Sequence, residues 1–402
     1  MTSATLLVLA ASKYQLRTIR TAKRLGYRVI TTDNVPGNPG HALADRAYPT
    51  DTTDLDGVLS IARAERIDGV IAPCTDVAVP TAAHVASALQ LPGAPYESAT
   101  IVCNKALFRR FLVQHGLPAP ETHDIRDSQR PPAECFERGT WIMKPDRSSG
   151  AKGVFIVDSV AEFEARCAET LACSPSRHGV LERFIDGFQG TCEGILRQGR
   201  ITHAFFLDRQ TVAPPYAATA GHHVPTSLAA SSRAALLDSL TELWRLLGIT
   251  DGPFDCDFVV GSDGVYVLEM TPRLGGNSIS TLLHAATGGF DLVEYAVRQA
   301  CGENVSLPAA IALTPTAVVI LGAAEAGNLA FDAHQLAALE REPWVESISM
   351  DLQSGAPVKA FTNGRHRVGE ALVRGTDRAE LDQHARDLRR RLNVRAVDAV
   401  AS

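Results

Sequence analysis

The sequence has no excess of basic residues and no closely spaced pair of cysteines. Acidic side chains outnumber basic ones by 45 to 39, so the formal net charge is −6, which argues against general binding to the phosphate backbone of nucleic acids. The eight cysteines are scattered and none has C-x-x-C spacing, which excludes zinc ribbons and thioredoxin-type motifs and favours a reducing compartment. We therefore expect small-molecule substrates and no nucleic acid.

Long apolar runs are also missing. The sequence has no stretch of about eighteen apolar residues, and no basic leader precedes the short apolar run Leu6–Ala11. We therefore expect neither a membrane span nor export, and a cytoplasmic protein. With 402 residues, the chain is long enough for two or three packed units with apolar cores.

Two patterns of predicted secondary structure divide the chain. In the N-terminal part, apolar strands alternate with amphipathic helices, from the strand at Leu6–Ala10 to the strand at Gly69–Ala72. This βαβαβ order predicts an open, mostly parallel sheet. A single helix is predicted over Ile101–His115, before a linker at Gly116–Pro120. Strands and hairpins dominate the remainder, which predicts an α+β architecture.

A pair of acidic residues lies in the predicted hairpin of Phe254–Val260 and Val265–Met270. Asp257 and Glu269 interrupt its otherwise apolar strands. If the connection has an odd length, the two carboxylates face each other on one side of the sheet and repel unless a cation lies between them. A hard divalent ion with oxygen ligands, Mg²⁺ or alternatively Mn²⁺, resolves that conflict. The alternative is a different register with one acid exposed to solvent.

A loop of small and basic residues follows the strand that ends at Lys144. The loop, Asp146–Gly153, holds two serines and two glycines, whose hydroxyl and backbone N–H groups could approach polyphosphate oxygens while lysines neutralise their charge. It does not match G-x-x-x-x-G-K-[ST], which argues against a P-loop NTPase. The alternative interpretation is an ordinary flexible connection.

An arginine stands four residues beyond Glu269, in a turn that contains a proline and a pair of glycines. The guanidinium of Arg273 could hold a transferring phosphoryl group there. A bland surface loop would rarely place these residues directly after an apolar strand that ends in an acid.

In their order and spacing these features resemble the ATP-grasp superfamily over nearly the whole chain. The resemblance implies a Rossmann-like pre-ATP-grasp domain over residues 1–97 and an ATP-grasp fold of two α+β subdomains that enclose ATP. The ATP-grasp domain would span 98–305, with a lid at about 120–190, and a C-terminal α+β portion over 306–402 would complete the unit. The turn around Arg273 is similar to that of the branch that joins amino acids.

The resemblance also implies roles for individual residues. Positions matching the nucleotide lysines, the loop over the phosphates, the adenine hinge and the ribose site are Lys105, Lys144, Ser148, Ser149, Gly150, Lys152, Gly153, Glu182, Phe184, Ile185 and Gln189. Asp257 and Glu269 match the paired magnesium ligands, and Lys144 and Arg273 would be the catalytic residues. At Glu182 and Ile185 the resemblance implies mainly backbone contacts.

Two positions depart from the family pattern. Gln189 stands where many members have a ribose-binding acid, and an amide can still bind ribose hydroxyls. Thr271 replaces an asparagine metal ligand, so its hydroxyl, a water or Asn277 would complete the metal coordination. These departures also admit a non-catalytic nucleotide sensor.

Further residues are predicted to contact the substrate. They are Ser12, His222, His223, Gly275, Gly276 and Asn277. The two histidines are expected in a long loop, where simple solvation is the alternative, and Ser12 opens a helix whose N-terminus could meet an anion. The first turn lacks G-x-G-x-x-G, which argues against NAD and an oxidoreductase.

The resemblance implies an ATP-dependent carboxylate–amine ligase. It would form an acyl phosphate, then an amide or peptide bond, and release ADP and phosphate, with an amino acid as substrate on at least one side. The cofactors would be ATP and Mg²⁺, and a homodimer is a possible assembly. Within the same fold, the main alternative is a carboxylase or a purine-pathway enzyme that acts on bicarbonate or formate.

Overall fold

The computed structural model describes residues 4–127 and 131–398. Its strands are β1 (Thr5–Leu9), β2 (Arg28–Thr32), β3 (Arg46–Tyr48), β4 (Gly69–Ile71), β5 (Thr122–Ile125), β6 (Trp141–Pro145), β7 (Phe155–Val157), β8 (Gly179–Arg183), β9 (Phe188–Arg197), β10 (Arg200–Thr211), β11 (Thr219–Val224), β12 (Gly252–Val260), β13 (Val265–Thr271), β14 (Thr316–Leu321), β15 (Gly327–Ala330), β16 (Val345–Met350), β17 (Pro357–Val358), β18 (Gly369–Arg374) and β19 (Arg395–Val397). Its α-helices are α1 (Leu16–Arg24), α2 (Leu55–Glu65), α3 (Val79–Leu89), α4 (Tyr96–Val102), α5 (Lys105–Gln114), α6 (Val160–Ala172), α7 (Ala230–Leu247), α8 (Ile279–Ala286), α9 (Leu292–Ala300), α10 (Ala333–Leu339) and α11 (Arg378–Leu392).

The N-terminal sheet has the order β3-β2-β1-β4, and all of its pairings are parallel, as the sequence predicts. Strand β1 is buried along its whole length because both of its faces are covered. Leu6 and Val8 pack in one apolar cluster with side chains of α1 and α9, whereas Leu7 and Leu9 pack in another with side chains of α2 and α3. This double burial accounts for the continuous apolar run in the sequence.

A second sheet, with the order β5-β8-β6-β7, is antiparallel and carries α6 on one face. Its core contains the fully buried Trp141 and Phe163. The strand β6 leads directly into the loop of small residues, so this sheet positions that loop.

The central sheet has eight strands in the order β13-β12-β9-β10-β11-β14-β18-β16. Helix α7 packs on one face through Leu240 and Trp244, and α8 and α9 pack on the other. Three of its strands, β14, β18 and β16, come from the C-terminal part of the chain, so that part continues the same sheet. The remaining sheet, β17-β15-β19, has three short strands.

One local expectation is wrong. The helix predicted over Ile101–His115 is two helices, because α4 ends at Val102 and α5 begins at Lys105. The side chain of Asn104 caps α5 by accepting a hydrogen bond from the Leu107 N–H, and asparagine favours such a cap over a helix interior. Within the described part of the chain, no helix has both the length and the apolar character needed to cross a bilayer.

Candidate active site

A cleft of ≈ 430 Å³ lies where the N-terminal sheet, the four-stranded sheet β5-β8-β6-β7 and the central sheet meet. Most of the predicted site residues line it: Ser12, Lys105, Lys144, Ser148, Ser149, Gly150, Lys152, Glu182, Phe184, Ile185, Gln189, His222, Asp257, Glu269, Arg273, Gly276 and Asn277. The other three predicted residues, Gly153, His223 and Gly275, lie outside this lining. The volume is in the range of cofactor and small-molecule sites.

Asp257 and Glu269 lie directly opposite each other on β12 and β13. The connection is not of odd length, because Val260 pairs with Val265 across a turn of four residues. A β-bulge at Leu268 restores the facing arrangement between the turn and the acids. The predicted juxtaposition is therefore present, but a bulge within the strand produces it rather than the turn.

Each acid of this pair already has a basic neighbour. Asp257 accepts hydrogen bonds from Arg209 Nη1 at 3.2 Å and Thr191 Oγ1 at 2.6 Å, and Lys105 Nζ lies 3.3 Å from Glu269 Oε1. Burial tends to raise the pKa of Asp257, but Arg209 and the Thr191 hydroxyl outweigh it and lower that pKa below its ordinary value. Asp257 is therefore held as a carboxylate.

The same pair fits a Mg²⁺ ion by its chemistry. Two carboxylates face each other in the cleft, and the nearby Thr271 Oγ1 is buried without a hydrogen bond in the described part of the chain. No group of three or more His, Cys, Asp or Glu side chains suited to a metal occurs among residues 4–127 and 131–398. Two carboxylates are what Mg²⁺ uses when phosphates and water complete its coordination.

Lys144 is held at the base of the cleft by a buried carboxylate. Its Nζ lies 2.7 Å from Glu182 Oε2, and Arg109 Nε lies 2.9 Å from Glu182 Oε1. Burial alone would raise the pKa of Glu182, but Arg109 and Lys144 together lower it to about 2. The side chain of Glu182 thus does more than the backbone contacts that the resemblance implies, since it fixes the predicted nucleotide lysine.

The predicted phosphate loop forms hydrogen bonds to the start of α5 and to the segment before β18. Lys105 Nζ donates to the Ser148 carbonyl at 3.3 Å, and the Gly364 N–H donates to the Gly150 carbonyl at 2.9 Å. Burial, and then the charge of Arg365, lower the pKa of Lys152. Lys152 forms no ion pair with any residue in the described ranges, so its charge is available to a ligand.

Gly153 lies at the end of this loop and packs away from the cleft. A Cβ atom at this position would lie 2.9 Å from Cys173 Cβ and 3.1 Å from a ring carbon of Pro145. Its φ of +69° also favours glycine. Gly153 therefore lets the loop close against α6.

Apolar side chains form part of the cleft lining. Beside the predicted hinge residues Phe184 and Ile185 the lining contains Ile142, Val154 and Leu268. Such a surface suits the flat faces of a purine base, with backbone groups of the hinge available for polar contacts.

Arg273 lies in the cleft between two carboxylates. Its Nε donates to Asp76 Oδ1 at 2.9 Å, its Nη2 donates to the same oxygen, and its Nη1 donates to Asp255 Oδ2 at 2.6 Å. Nη1 also donates to the Leu274 carbonyl. Four of the five N–H groups are therefore in use, which leaves one for a ligand.

Sequence reasoning assigned no role to Asp76 or Asp255. Asp76 follows β4, and ends of parallel strands often carry binding residues, so its position was a usable signal. The role of Asp255 could not be predicted from the sequence, because its neighbour Glu193 lies on a different strand, β9, and is brought opposite Asp255 only in the folded sheet. Burial raises the pKa of Asp255 to about 6 against the effect of Arg273, and burial with the Asp255 charge raises the pKa of Glu193 well above its usual range.

The two predicted substrate histidines do not lie in a loop. Both belong to β11, which is central in the sheet, and each is 1% exposed, so the expectation of a solvated loop is wrong. Alternation along the strand separates them: His222 lines the cleft, whereas His223 Nδ1 lies 2.9 Å from Asp382 Oδ1 of α11.

His222 is buried without a partner. Neither ring nitrogen forms a hydrogen bond within the described residues. Burial lowers its pKa to about 3, although the Asp257 charge acts in the opposite direction. The imidazole is therefore neutral near pH 7, and its two nitrogens remain available for a ligand.

Of the remaining predicted substrate residues, Ser12, Gly276 and Asn277 line the cleft and Gly275 does not. The Ser12 hydroxyl donates to Gln15 Oε1 at 2.7 Å and caps a single turn of 3-10 helix. Gly276 and Asn277 line the cleft. Gly275 lies behind it, and its N–H donates to both oxygens of Glu193, at 2.9 and 3.0 Å.

Comparisons with known proteins identify two domains in the chain. Residues 102–277 match the ATP-grasp domain, and residues 323–397 match L-amino acid ligase C-terminal domain 2. The chain is 27% identical over 393 residues to a formate-dependent phosphoribosylglycinamide formyltransferase of Burkholderia thailandensis, which covers 94% of this chain and 93% of that protein.

Solved structures give the same result for the fold. An L-amino acid ligase from Bacillus licheniformis superposes with a TM-score of 0.81 at 22% identity and covers 99% of each chain. A phosphoribosylglycinamide synthetase from Anaerococcus prevotii superposes with a TM-score of 0.75 at 18% identity and covers 99% of this chain and 100% of its own. The chain therefore contains an ATP-grasp domain over residues 102–277 and an L-amino acid ligase C-terminal domain 2 over residues 323–397.

Proposed function

We propose that the protein is an ATP-dependent carboxylate–amine ligase that activates a carboxylate as an acyl phosphate and joins it to an amine, with an amino acid as a substrate. The observation that carries the proposal is the position of Arg273, in the same cleft as the acid pair Asp257 and Glu269 and the lysines Lys105 and Lys144. The presence of an L-amino acid ligase C-terminal domain supports it.

Each part of ATP has side chains in the cleft that suit it. The apolar part of the lining near Phe184 and Ile185 would hold the adenine, and Gln189 would contact the ribose. Lys144, fixed by Glu182, and Lys105 would neutralise phosphate charge, and the loop Ser148–Gly153 would cover the phosphates. Mg²⁺ held by Asp257 and Glu269 would supply further screening of the phosphate oxygens.

The chemistry has two steps. A carboxylate oxygen of the substrate attacks the γ-phosphorus, the bond to the β-phosphate oxygen breaks, and ADP leaves. An amine then attacks the acyl carbon, phosphate leaves with the C–O bonding pair, and the amine nitrogen loses a proton to solvent. Arg273 stabilises the charge that develops on the transferring group, so catalysis is mainly positioning and electrostatics.

A turnover panel tests the proposal. ADP and phosphate release should rise when pairs of amino acids are added, and hydroxylamine should convert the acyl phosphate to a hydroxamate. Formate or bicarbonate as the preferred acid would instead favour the formyltransferase or carboxylase alternative. Nucleotide binding without carboxylate-stimulated ADP release would favour a sensor.

We further propose that the enzyme acts on small molecules in the cytoplasm and forms a homodimer. The acidic composition and the cleft of ≈ 430 Å³ support small-molecule substrates. Light scattering after gel filtration tests the assembly, and a mass of one chain would contradict the dimer.

A further inference from the structure

We propose that Arg365, together with Lys152, binds the γ-phosphoryl group of ATP, so that the C-terminal part of the chain supplies a residue to the phosphate site. This inference rests on the proposed ligase function and deepens it, because it names a further binding residue for the group that is transferred. Arg365 belongs to the stretch that matches L-amino acid ligase C-terminal domain 2, and no motif in the sequence pointed to it.

Arg365 and Lys152 are two cations that line the cleft without a counter-ion. Within residues 4–127 and 131–398, neither forms an ion pair and neither side chain forms a hydrogen bond. They lie close enough for the charge of Arg365 to add to the effect of burial in lowering the pKa of Lys152. Two like charges placed together in this way are stabilised by an anion that binds between them.

The backbone around Arg365 is fixed against the predicted phosphate loop. The Gly364 N–H donates to the Gly150 carbonyl at 2.9 Å, and a Cβ atom at Gly364 would lie 3.5 Å from the Cα atom of Gly150. The side chain of Asn363 accepts a hydrogen bond from the Arg365 N–H at 3.0 Å. The main chain of Arg365 is therefore held beside the loop, whereas no residue of the described ranges holds its guanidinium.

The neighbouring arginine, Arg367, shows what a purely structural cation looks like in this segment. It also lines the cleft, but its Nε lies 3.0 Å from Asp351 Oδ2 and its Nη1 lies 3.0 Å from Glu370 Oε2. Arg367 is buried, whereas Arg365 is exposed. The charge of Arg367 is thus neutralised within the protein, and that of Arg365 remains available to a ligand.

The position of this segment favours the last phosphate of ATP. Gly364 contacts the phosphate loop through its N–H, and its carbonyl accepts a hydrogen bond from the hydroxyl of Tyr14, in the N-terminal part of the chain, at 3.2 Å. The segment therefore lies where the phosphate loop meets the N-terminal part. The γ-phosphoryl group is the part of ATP that is farthest from the base and that must reach a second substrate. A guanidinium offers its oxygens two parallel N–H donors, which Lys152 supplements as a point charge.

The test measures the affinities of three ligands by calorimetry with Mg²⁺ and without a carboxylate substrate: the non-hydrolysable β,γ-imido analogue of ATP, ADP and adenosine. Arg365→Gln should weaken binding of the analogue by about tenfold or more and binding of ADP by less than about twofold, because only the analogue has a γ-phosphoryl group. Adenosine should bind as before. Lys152→Gln should also weaken the analogue more than ADP. Arg341→Gln, which removes an exposed arginine of the C-terminal part that lies outside the cleft lining, should leave all three affinities unchanged.

Two outcomes would overturn the inference. Unchanged affinity of Arg365→Gln for the imido analogue would mean that Arg365 does not contact the nucleotide. Equal losses for the analogue and for ADP would mean that its charge attracts any nucleotide and does not bind the γ-phosphoryl group. Because Arg365 is exposed and unpaired in the described part of the chain, the variant should fold like the wild type, and circular dichroism checks this. The ligase proposal fails separately, when no carboxylate stimulates ADP release.

Discussion

Glu182 Oε2 lies 2.7 Å from Lys144 Nζ at the base of the cleft, and their side chains are 1% and 7% exposed. The same carboxylate pairs with Arg109 of α5. A charge buried so deeply is stable only while its partners remain, since an unpaired buried ion is strongly destabilising. The position of Lys144, the predicted nucleotide lysine, therefore depends on the side chain of Glu182, which need not contact the nucleotide itself to act on the site.

We expect Glu182→Gln to lower the free energy of unfolding at pH 7 by about 3–5 kcal/mol, because Lys144 and Arg109 would be left without their buried counter-ion. Denaturant unfolding measures this loss. Glu242→Gln, which breaks an exposed pair with Arg245, should leave the free energy of unfolding nearly unchanged, because solvent screens that pair. Similar effects of the two substitutions would contradict the role of Glu182.

The same pair predicts a dependence of stability on pH. The pKa of Glu182 is lowered from 4.5 to about 2 in the folded protein, so its stabilising contribution is complete above pH 4.5. It is lost as the pH falls towards 2, because the unfolded chain takes up a proton first. Wild-type stability should therefore fall more steeply than that of Glu182→Gln below pH 4.5. Parallel curves would contradict the prediction.

His222 predicts acid sensitivity in a different range. Burial lowers its pKa from 6.5 to about 3 in the folded protein, so between these values only the unfolded state binds the proton. Stability should then fall as the pH drops below 6.5, by up to about 1.4 kcal/mol per pH unit from this group. Urea unfolding of wild type and His222→Gln at pH 7 and 5.5 measures the difference. An unchanged pH dependence in the variant would count against a neutral buried imidazole.

We expect Glu269→Gln to abolish turnover while the protein stays folded, because the substitution removes a negative charge that Mg²⁺ needs and little volume. Initial rates over a Mg²⁺ titration, with circular dichroism as a check of the fold, measure the effect. Asp263→Asn removes an exposed acid from the turn of the same hairpin and serves as the control. Normal rates for Glu269→Gln at ordinary Mg²⁺ concentrations would contradict the role of Glu269 as a magnesium ligand.

The loop Ser148–Gly153 should be protected by nucleotide. Its small residues provide little packing of their own, and a bound polyphosphate would engage its N–H groups and Lys152. Cleavage after Lys152 by a lysine-specific protease should therefore slow when Mg²⁺ and ATP are added. Equal cleavage rates with and without nucleotide would argue against closure over the phosphates.

Arg273→Lys should reduce ADP and hydroxamate formation together by roughly 10²-fold or more, since one charge-stabilising group is disturbed. The structure adds a second reason, because a lysine cannot bridge Asp76 and Asp255 as the planar guanidinium does. Product analysis measures both effects. AMP and pyrophosphate as products would contradict the acyl-phosphate mechanism, whatever the rate.

Spacing along the chain predicted those parts of the site that arise from a single hairpin or loop. Asp257 and Glu269 face each other because both lie on one hairpin, and Lys144 ends the strand before its loop. The bulge at Leu268 could not be predicted, because it depends on pairing with the rest of the sheet. Arg209 and Asp76 escaped assignment since they reach the cleft from separate segments, joined only by packing.

The prediction for His222 and His223 was wrong, because they lie in a strand and not in a loop. A segment of mixed small and polar residues predicts a loop, but hydrogen bonds from β10 and β14 on its two sides make Thr219–Val224 a central strand. Tertiary pairing of this kind overrides local propensity. Fold class was predictable from element order, whereas the side-chain network around Arg273 required the assembled sheet.

The continuity of the eight-stranded sheet has a consequence for recombination between related proteins. Strand β11 pairs directly with β14, so a graft that replaces the chain after residue 305 must reproduce the register of Gly221 with Val319 and its neighbours. The four-stranded sheet β5–β8 shares no strand with it. A chimera that exchanges this smaller sheet, from Thr122 to Arg183, should therefore be tolerated more readily than one that exchanges the tail, provided that the recipient keeps an arginine at position 109 to pair with Glu182. Such an exchange would move the strand that ends at Lys144 and its loop together.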